Sequence, residues 1–306
     1  MAENQLKLPS FAKINLHLRV LGKRDDGFHE LCTVFQTVSL NDTLIFKKSK
    51  DLILDCNFPK FPTDERNLII KAAKILQERF DVKKGARIYL RKKIPAPGGL
   101  GGGSSNAATT LLALAKLWEI EIGFAEFLEI GKQIGSDVPF FFFGGTALGA
   151  GRGTEIFPLP EREEKFILII TPKVNVSTAE AFSRLNAPRL TNQESKSILQ
   201  ICLREAETLN WRQYDLKNDF EASVFKIEPE IERVKERLFS LGANRALMTG
   251  SGASVFGIFD SEETRQTAIK AIENERNWRK FAVATVSRAQ YREALYPCSS
   301  LLPISF

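Results

Sequence analysis

The chain has 306 residues, of which 43% are hydrophobic and 26% are charged, and these values are ordinary for a globular protein. Its 43 Lys and Arg residues exceed its 37 Asp and Glu residues by six, a bias too weak to indicate nucleic-acid binding but compatible with binding of polyanionic small molecules. No apolar run approaches the roughly 18 residues of a membrane-spanning helix, so no membrane partner is expected.

The cysteine and histidine content limits the compartment and the metal chemistry. The four cysteines, Cys32, Cys56, Cys202 and Cys298, form no CxxC motif and have no regular spacing. Because the N-terminus also lacks a signal-like pattern, we expect reduced thiols in a cytoplasmic protein. The two histidines exclude a histidine-rich metal site. The length exceeds one average domain and favours two.

The first regular element is "FAKINLHLRV", in which apolar and polar residues alternate. Ala12, Ile14 and Leu16 lie on one side, and Lys13 and Asn15 lie on the other. This pattern predicts a half-buried strand with a polar face, on which Lys13 would ordinarily be a solvated lysine. A turn follows in "GKRDDGFHEL", and then the strand-like runs "LCTVFQTVSL" and "DTLIFKK".

A helix is predicted over residues 66–80 and a strand over "ARIYLRKKI", which leads into "PAPGGLGGGSSNAATTLLALAKLW" at 95–118. Five glycines there precede a helical pattern that Ser104 or Ser105 can cap. Glycines allow main-chain N–H groups to surround an anion at a helix N-terminus. The segment is neither a GxxxxGK[ST] loop nor a dinucleotide fingerprint. It is a phosphate loop of another type, or an ordinary flexible loop or turn.

The remaining pattern predicts a helix near 124–134 and a β segment in "VPFFFFGGTALGAG". The pattern then predicts a strand in "FILIITP" and helices near 178–185, 195–209 and 218–240. It ends with a hairpin in "RALMTGSGASVFGIFD", a helix at 261–275 and a strand in "FAVATVS". The β-β-α-β ending indicates an α+β sandwich. Asn218 in "NDFE" is expected to cap a helix, and the last ten residues are expected to form a loose tail.

Two further segments are weak signals when taken singly. Asp137 lies in a Gly-Ser-Asp turn before the apolar run, where it is either a catalytic base or a turn aspartate. The segment "TGSGASVFGIF" at 249–259 is either a ligand-approaching glycine loop or a plain hairpin turn.

Four blocks in order along the chain together resemble the GHMP small-molecule kinases: "LPSFAKINLHLRVLGKRDDGFHEL", "PAPGGLGGGSSNAATTLLAL", "GSDVPFFFFGGTALGAGRGTEI" and "TGSGASVFGIF". The pair "AKINLHL" and "DGFHEL" is similar to the branch acting on CDP-linked methylerythritol in non-mevalonate isoprenoid precursor biosynthesis. The resemblance implies an α+β, two-domain GHMP-kinase fold. Residues 1–158 would form the N-terminal ATP-binding domain, and residues 159–306 a ferredoxin-like substrate domain.

The resemblance also implies the reaction and its residues. The enzyme would use ATP and Mg²⁺ to phosphorylate the 2-hydroxyl of the CDP-linked alcohol, with Asp137 as base and Lys13 orienting the hydroxyl. Ser105 would lie near the metal, and the residues at the nucleotide would be Asn67, Pro95, Ala96, Pro97, Gly98, Gly99, Leu100, Gly101, Gly102, Gly103, Ser104 and Ser105. The residues at the substrate would be Asn15, Phe28, His29, Phe35, Thr178 and Phe182, and the loop at Gly250–Ser254 would close over the phosphates.

Two positions depart from the family pattern, and two other functions stay open. Phe28 stands where tyrosine is frequent, so a hydroxyl contact is lost, and Pro97 cannot donate an N–H to phosphate. Another GHMP kinase, acting on homoserine, mevalonate or a sugar, is the alternative. A nucleotide- or RNA-binding module is disfavoured because basic and aromatic residues are not interleaved. The protein is expected to be a monomer or a weak homodimer.

Overall fold

A computed structural model describes residues 5–59, 61–185, 187–190, 194, 197, 200, 202 and 216–303. The strands are β1 (Gln5–Lys23), β2 (His29–Ser49), β3 (Ile53–Cys56), β4 (Gly85–Arg91), β5 (Thr146–Ala150), β6 (Glu155–Pro158), β7 (Ile167–Pro172), β8 (Arg245–Met248), β9 (Val255–Ile258) and β10 (Trp278–Val283). The helices described are α1 (Leu68–Arg79), α2 (Gly102–Trp118), α3 (Phe124–Ile134), α4 (Thr178–Ser183), α5 (Glu221–Ile227), α6 (Pro229–Ser240), α7 (Glu262–Ala271) and α8 (Arg288–Ala294).

The first six strands form one sheet in the order β3-β4-β2-β5-β6, with β1 paired to β2. The two predicted strand-like runs after the first turn are one long strand, β2, which pairs antiparallel with β1 along most of its length. Register shifts at Phe11/Ala12 and Asn15/His17 interrupt this pairing on both sides of the segment that carries Lys13 and Asn15. Such bulges change the direction of nearby side chains. Here they flank the part of β1 that carries Lys13 and Asn15.

The last four strands form a second sheet in the order β10-β7-β9-β8, with all neighbouring strands antiparallel. Numbered within this half, the order is 4-1-3-2, which is the ferredoxin-like arrangement that the resemblance implied. The predicted α+β class is confirmed. The sheets separate between Pro158 and Ile167, and the domain boundary at residue 158 stays a prediction.

The two sheets share a core, and this overturns the expected environment of β1. Its apolar face, including Ile14 and Leu16, packs in one cluster with Ile169 and Phe256 of the second sheet. Part of its polar face is also buried, because Lys13 and Asn15 are almost inaccessible to solvent, whereas Arg19 on the same face is exposed. Alternation reports which residues share a face, but it does not tell whether the polar face meets water. The expectation of a solvated Lys13 is therefore wrong.

The phenylalanine run is helical rather than extended. Pro139–Phe142 is a 3-10 helix, and only Thr146–Ala150 forms the strand predicted for this segment. Phe140 packs against Phe35 at 4.9 Å between ring centroids, and Phe142 packs against Phe127 at 5.5 Å. A tight helical turn directs consecutive rings to different sides, and here each side is occupied by core.

Two helix boundaries differ from the predicted ones, one next to a glycine and one at a proline. Helix α2 begins at Gly102 after Gly101, which has a φ of 67°, and no side chain caps it, so Ser104 and Ser105 lie inside the first turn. The helix predicted over 218–240 is divided into α5 and α6 at Pro229. The residue before a proline avoids helical backbone, and Glu228 has φ −135° and ψ 82°. The helix predicted over 195–209 falls mostly outside the described residues.

The C-terminal segment is packed, in contrast to the expected loose tail. Tyr291, Leu295, Cys298 and Leu302 are buried in the core of the first sheet, and Cys298–Leu301 forms a 3-10 helix. Burial raises the pKa of the Cys298 thiol to about 12. The four cysteines, all among the described residues, are not joined in disulfides, as predicted. None of the described helices has the length and apolar character needed to cross a bilayer.

Tyr291 provides a test of this packing. Its hydroxyl donates to the carbonyl of Phe141 at 2.5 Å within the core. We expect Tyr291→Phe to lower the free energy of unfolding by about 1–3 kcal/mol, because a buried carbonyl loses its donor. Tyr296→Phe is the matched control, since Tyr296 is 75% exposed and should change stability by less than about 0.5 kcal/mol. Equal effects in urea denaturation would contradict the burial of the Tyr291 hydroxyl in the core.

Candidate active site

A cavity of about 860 Å³ is lined by residues of both halves of the chain. It brings together most of the residues predicted to form the site, although they span positions 13 to 182. The predicted residues that line it are Lys13, Asn15, Phe28, His29, Phe35, Pro95, Ala96, Pro97, Gly98, Gly99, Leu100, Gly101, Gly102, Gly103, Ser104, Asp137, Thr178 and Phe182. Asn67 and Ser105 are not among its lining residues.

Lys13 is held by three groups from different parts of the chain. Its Nζ donates to Asn15 Oδ1 at 2.7 Å and to the carbonyl of Gly99 at 2.9 Å. It lies 3.4 Å from Asp137 Oδ2. Two of the three ammonium protons are therefore committed to hydrogen bonds, and Asp137 is the ion-pair partner of the same group. The Lys13 side chain is 3% exposed and that of Asp137 is 32% exposed, which leaves the carboxylate as the member open to the cavity.

Asp137 reaches the cavity from the turn between α3 and the phenylalanine run. The amide of Val138 donates to the carbonyl of Gly135 at 3.1 Å, which closes the Gly-Ser-Asp turn. Val138 and the following rings are buried in the first core. The apolar run therefore anchors the turn, and the carboxylate lies on its polar side.

The glycine loop is shaped by close backbone contacts as well as by space for a ligand. A Cβ at Gly99, where φ is +69°, would lie 2.1 Å from the carbonyl of Thr249, and one at Gly101 would lie 2.9 Å from Lys13 Cγ. A Cβ at Gly103 would meet only Leu68 Cδ1 at 3.6 Å. The first turn of α2 has N–H groups without intrahelical acceptors and the positive end of the helix dipole. This end of the cavity is suited to an anion.

The two serines of the loop differ in their placement. Ser104 lines the cavity, whereas Ser105 is fully buried with its Oγ 2.7 Å from Ser10 Oγ. Asn67 is the N-cap of α1, and its Oδ1 accepts a hydrogen bond from the amide of Ile69 at 3.0 Å. Its neighbour Leu68 lines the cavity. The nucleotide and metal roles of Asn67 and Ser105 stay predictions.

A buried ion pair supports the entry to the glycine loop. Lys92 Nζ lies 2.7 Å from Asp42 Oδ2 and also donates to the carbonyl of Ile94. Asp42 Oδ1 accepts from the amides of Lys93 and Ile94. Burial lowers the pKa of Lys92, and Asp42 opposes that shift. The sequence gives no signal for this pair, since nothing local distinguishes the buried Lys92 from its basic neighbours Arg91 and Lys93.

The opposite end of the cavity is aromatic. The ring of His29 stacks on that of Phe182, with centroids 4.9 Å apart, and Phe28 is 50% exposed beside them. The guanidinium of Arg152 lies 4.4 Å over the Phe28 ring. Burial lowers the pKa of His29, and the charge of Lys23 lowers it further. This end is suited to a planar, uncharged ring with hydrogen-bonding edges.

Several residues at the site were missed by sequence reasoning. Arg152 follows the phenylalanine run and lines the cavity. Asn218, expected as a helix cap, donates to the carbonyls of Met248 and Gly250 and accepts from the amide of Phe220. The predicted cap is wrong, because the N-cap of α5 is Phe220 and no side chain caps it. Asn218 instead anchors the turn between β8 and β9. The motif "NDFE" marks Asn218 as a structural residue, but nothing in the sequence indicates that it bonds to Gly250, 32 residues away.

Family comparisons agree with this geometry. Residues 67–145 match the model described as GHMP kinases N terminal domain, and residues 197–277 match GHMP kinases C terminal. The chain is 39% identical to a 4-diphosphocytidyl-2-C-methyl-D-erythritol kinase from Solibacter usitatus, over 93% of this chain and 90% of that protein. It is 39% identical to the protein of the same name from Thermodesulfovibrio yellowstonii, over 88% and 94%.

A solved structure extends the similarity to the fold. The chain superimposes with a TM-score of 0.74 and 31% identity on a crystal structure of 4-(cytidine 5'-diphospho)-2C-methyl-D-erythritol kinase. The match covers 92% of this chain and 99% of that one, so it extends over both halves of the chain.

Proposed function

Because the chain belongs to the 4-diphosphocytidyl-2-C-methyl-D-erythritol kinases within the GHMP family and is an ATP-dependent small-molecule kinase, we propose the following reaction. It transfers the γ-phosphoryl group of ATP to the 2-hydroxyl of 4-diphosphocytidyl-2-C-methyl-D-erythritol. The observation that carries the proposal is the Lys13–Asp137 pair, 3.4 Å apart, in one cavity with the first turn of α2.

Asp137 is the proposed general base. Its carboxylate is the exposed member of the pair, so an acceptor hydroxyl can reach it and transfer its proton to it as the oxygen attacks the γ-phosphorus. The bond between that phosphorus and the bridging oxygen of ADP breaks in the same displacement. Phosphoryl transfer requires little covalent chemistry from the protein, so alignment of the two oxygens contributes most.

Lys13 is the proposed orienting residue. Two of its protons are committed to Asn15 and Gly99, so the ammonium cannot swing away from Asp137. It would thereby hold the carboxylate in position to accept the hydroxyl proton, and its positive charge would stabilise the negative charge that develops during transfer. The N–H groups of the glycine loop and the first turn of α2 would bind the phosphates.

Mg²⁺ is proposed as the metal. It favours oxygen ligands and binds through one or two carboxylates together with substrate phosphates. The Ser104 hydroxyl, in the first turn of α2 at the cavity surface, fits that preference. When bound, the ion would neutralise phosphate charge. The predicted contact from Ser105 requires its Oγ to turn from Ser10.

The aromatic end is the proposed cytidine site. The exposed face of Phe28 and the stacked rings of His29 and Phe182 can hold a pyrimidine. Neutral His29 has one donor and one acceptor for the base edge. Binding energy from this remote part of the substrate would serve to place the alcohol at Asp137.

A substrate panel tests the reaction. In an assay coupled to ADP formation with ATP and Mg²⁺, we expect turnover with the CDP-linked alcohol and little with homoserine, mevalonate or sugars. ADP formed with one of the other acceptors, and none with the CDP-linked alcohol, would replace this substrate assignment while leaving the kinase class intact.

Asp137→Asn tests the base. The amide keeps the shape of the side chain but cannot accept the proton, so we expect kcat to fall by about 100-fold or more, with the Kd for ATP changing less than about threefold. Asp260→Asn, at an exposed aspartate that follows β9, is the control and should behave as the parent enzyme. Substantial turnover by Asp137→Asn would count against the assignment.

The pH dependence of substrate binding tests His29. Because its pKa is lowered, the imidazole stays neutral at and above the ordinary value of about 6.5, and protonation removes its acceptor only at lower pH. We expect the KM of the CDP-linked substrate to be constant from pH 8 to about 6.5 and to rise below it. His29→Gln should lack this acid limb, and an unchanged limb in that variant would assign it to another group.

A further inference from the structure

Thr249, on the turn between β8 and β9, contacts the groups that hold Lys13 without lining the cavity itself. It is fully buried. Its Oγ1 accepts from the amide of Asn15 at 3.0 Å. The hydroxyl proton reaches either Asn15 Oδ1 at 3.1 Å or the carbonyl of Gly99 at 3.3 Å. These two oxygens are the same two that accept from Lys13 Nζ.

Asn15 connects the turn to the lysine. Its Oδ1 accepts from Lys13 Nζ and also from the amide of Gly250 at 2.9 Å, and its Nδ2 donates to Thr33 Oγ1 at 2.7 Å. Oδ1 and one Nδ2 proton of Asn15 are therefore committed to the protein, which leaves the second Nδ2 proton for the predicted substrate contact. Its predicted role as a substrate contact is joined by a second role, in which it fixes where the ammonium points.

The turn has anchors that do not involve the Thr249 hydroxyl. Asn218 Nδ2 donates to the carbonyls of Met248 and Gly250 at 2.7 and 2.8 Å. The amide of Thr249 donates to the carbonyl of Ser254 at 2.9 Å. Removal of the hydroxyl alone should therefore leave the turn, and its share of the cavity wall, in place.

We propose that Thr249 is a positioning residue for phosphoryl transfer: its hydroxyl holds Asn15 Oδ1 and the Gly99 carbonyl at the spacing that directs the third proton of Lys13 to Asp137. The proposal rests on the role assigned to Lys13 above, and it applies whichever alcohol is the acceptor. It makes the second sheet a contributor to the geometry of the reacting pair, through a side chain that touches neither substrate.

Thr249→Val tests this, because valine has nearly the shape of threonine and lacks the hydroxyl. Displacement of a reacting group by about 1 Å can cost about 100-fold in rate. We expect kcat to fall by about 10- to 100-fold while the KM values for ATP and acceptor change less than about threefold. Thr249→Ser keeps the hydroxyl and should restore kcat to within about threefold of the parent.

Thr110→Val is the matched control. Thr110 is also fully buried, and its hydroxyl donates to the carbonyl of Asn106 within α2, away from the lysine. It should lose stability but not kcat. A kcat loss of the same size in Thr110→Val, or no rescue by Thr249→Ser, would overturn the proposal and assign Thr249 a purely structural role. If Thr249→Val does not fold, Thr249→Cys replaces it under the same criteria.

A double-mutant cycle separates this proposal from the assignment of Lys13. In Lys13→Met, kcat should already be low, and adding Thr249→Val should lower it by less than about twofold, because Thr249 acts through the lysine. If the double variant instead loses kcat by the product of the two single-variant factors, the link between Thr249 and Lys13 is overturned. A Lys13→Met enzyme with normal kcat would instead refute the proposed role of Lys13, whatever the single Thr249 variants show.

Discussion

The buried ammonium of Lys13 is the constraint on which the site depends. A charge removed from water is tolerated only when its protons are paired, and the three partners of Lys13 come from β1, the glycine loop and the turn after α3. Satisfying this one group brings segments about 120 residues apart into a common cavity. The chemistry and the packing therefore have the same origin, because the contacts that make a buried lysine acceptable also aim it at Asp137.

The glycine loop shows a similar double use. Gly99 and Gly101 are required by left-handed backbone and by close contact with Thr249 and Lys13, whereas Gly103 faces open space. Only some of the glycines are therefore explained by the proposed phosphate site. The remainder allows the loop to pack against the β8–β9 turn, where the amide of Ser254 donates to the carbonyl of Gly98. The proposed anion site is therefore complete only when both sheets are assembled.

The cavity is polar and charged at one end and aromatic at the other. The helix N-terminus, Lys13 and Asp137 would act on phosphate and hydroxyl, while Phe28, His29 and Phe182 offer flat surfaces for a base. In such an arrangement the remote end supplies binding and the reacting end supplies alignment. Lowering of the His29 pKa by burial favours the neutral imidazole, so His29 can recognise a base edge without itself adding charge.

Local patterns were sufficient for β1, α1, α3, the β8–β9 hairpin and the α+β class, because periodicity and turn residues express backbone geometry directly. The ordered blocks of motif residues also pointed to the family and to most of the cavity lining. Long-range packing decided the rest: that Lys13 and Asn15 on β1 are buried, that the phenylalanine run forms a 3-10 helix, that the C-terminal segment joins the core, and that Ser104 rather than Ser105 meets the cavity. Each of these depends on which surface arrives from elsewhere in the chain, and a residue's near neighbours in sequence carry no record of that surface.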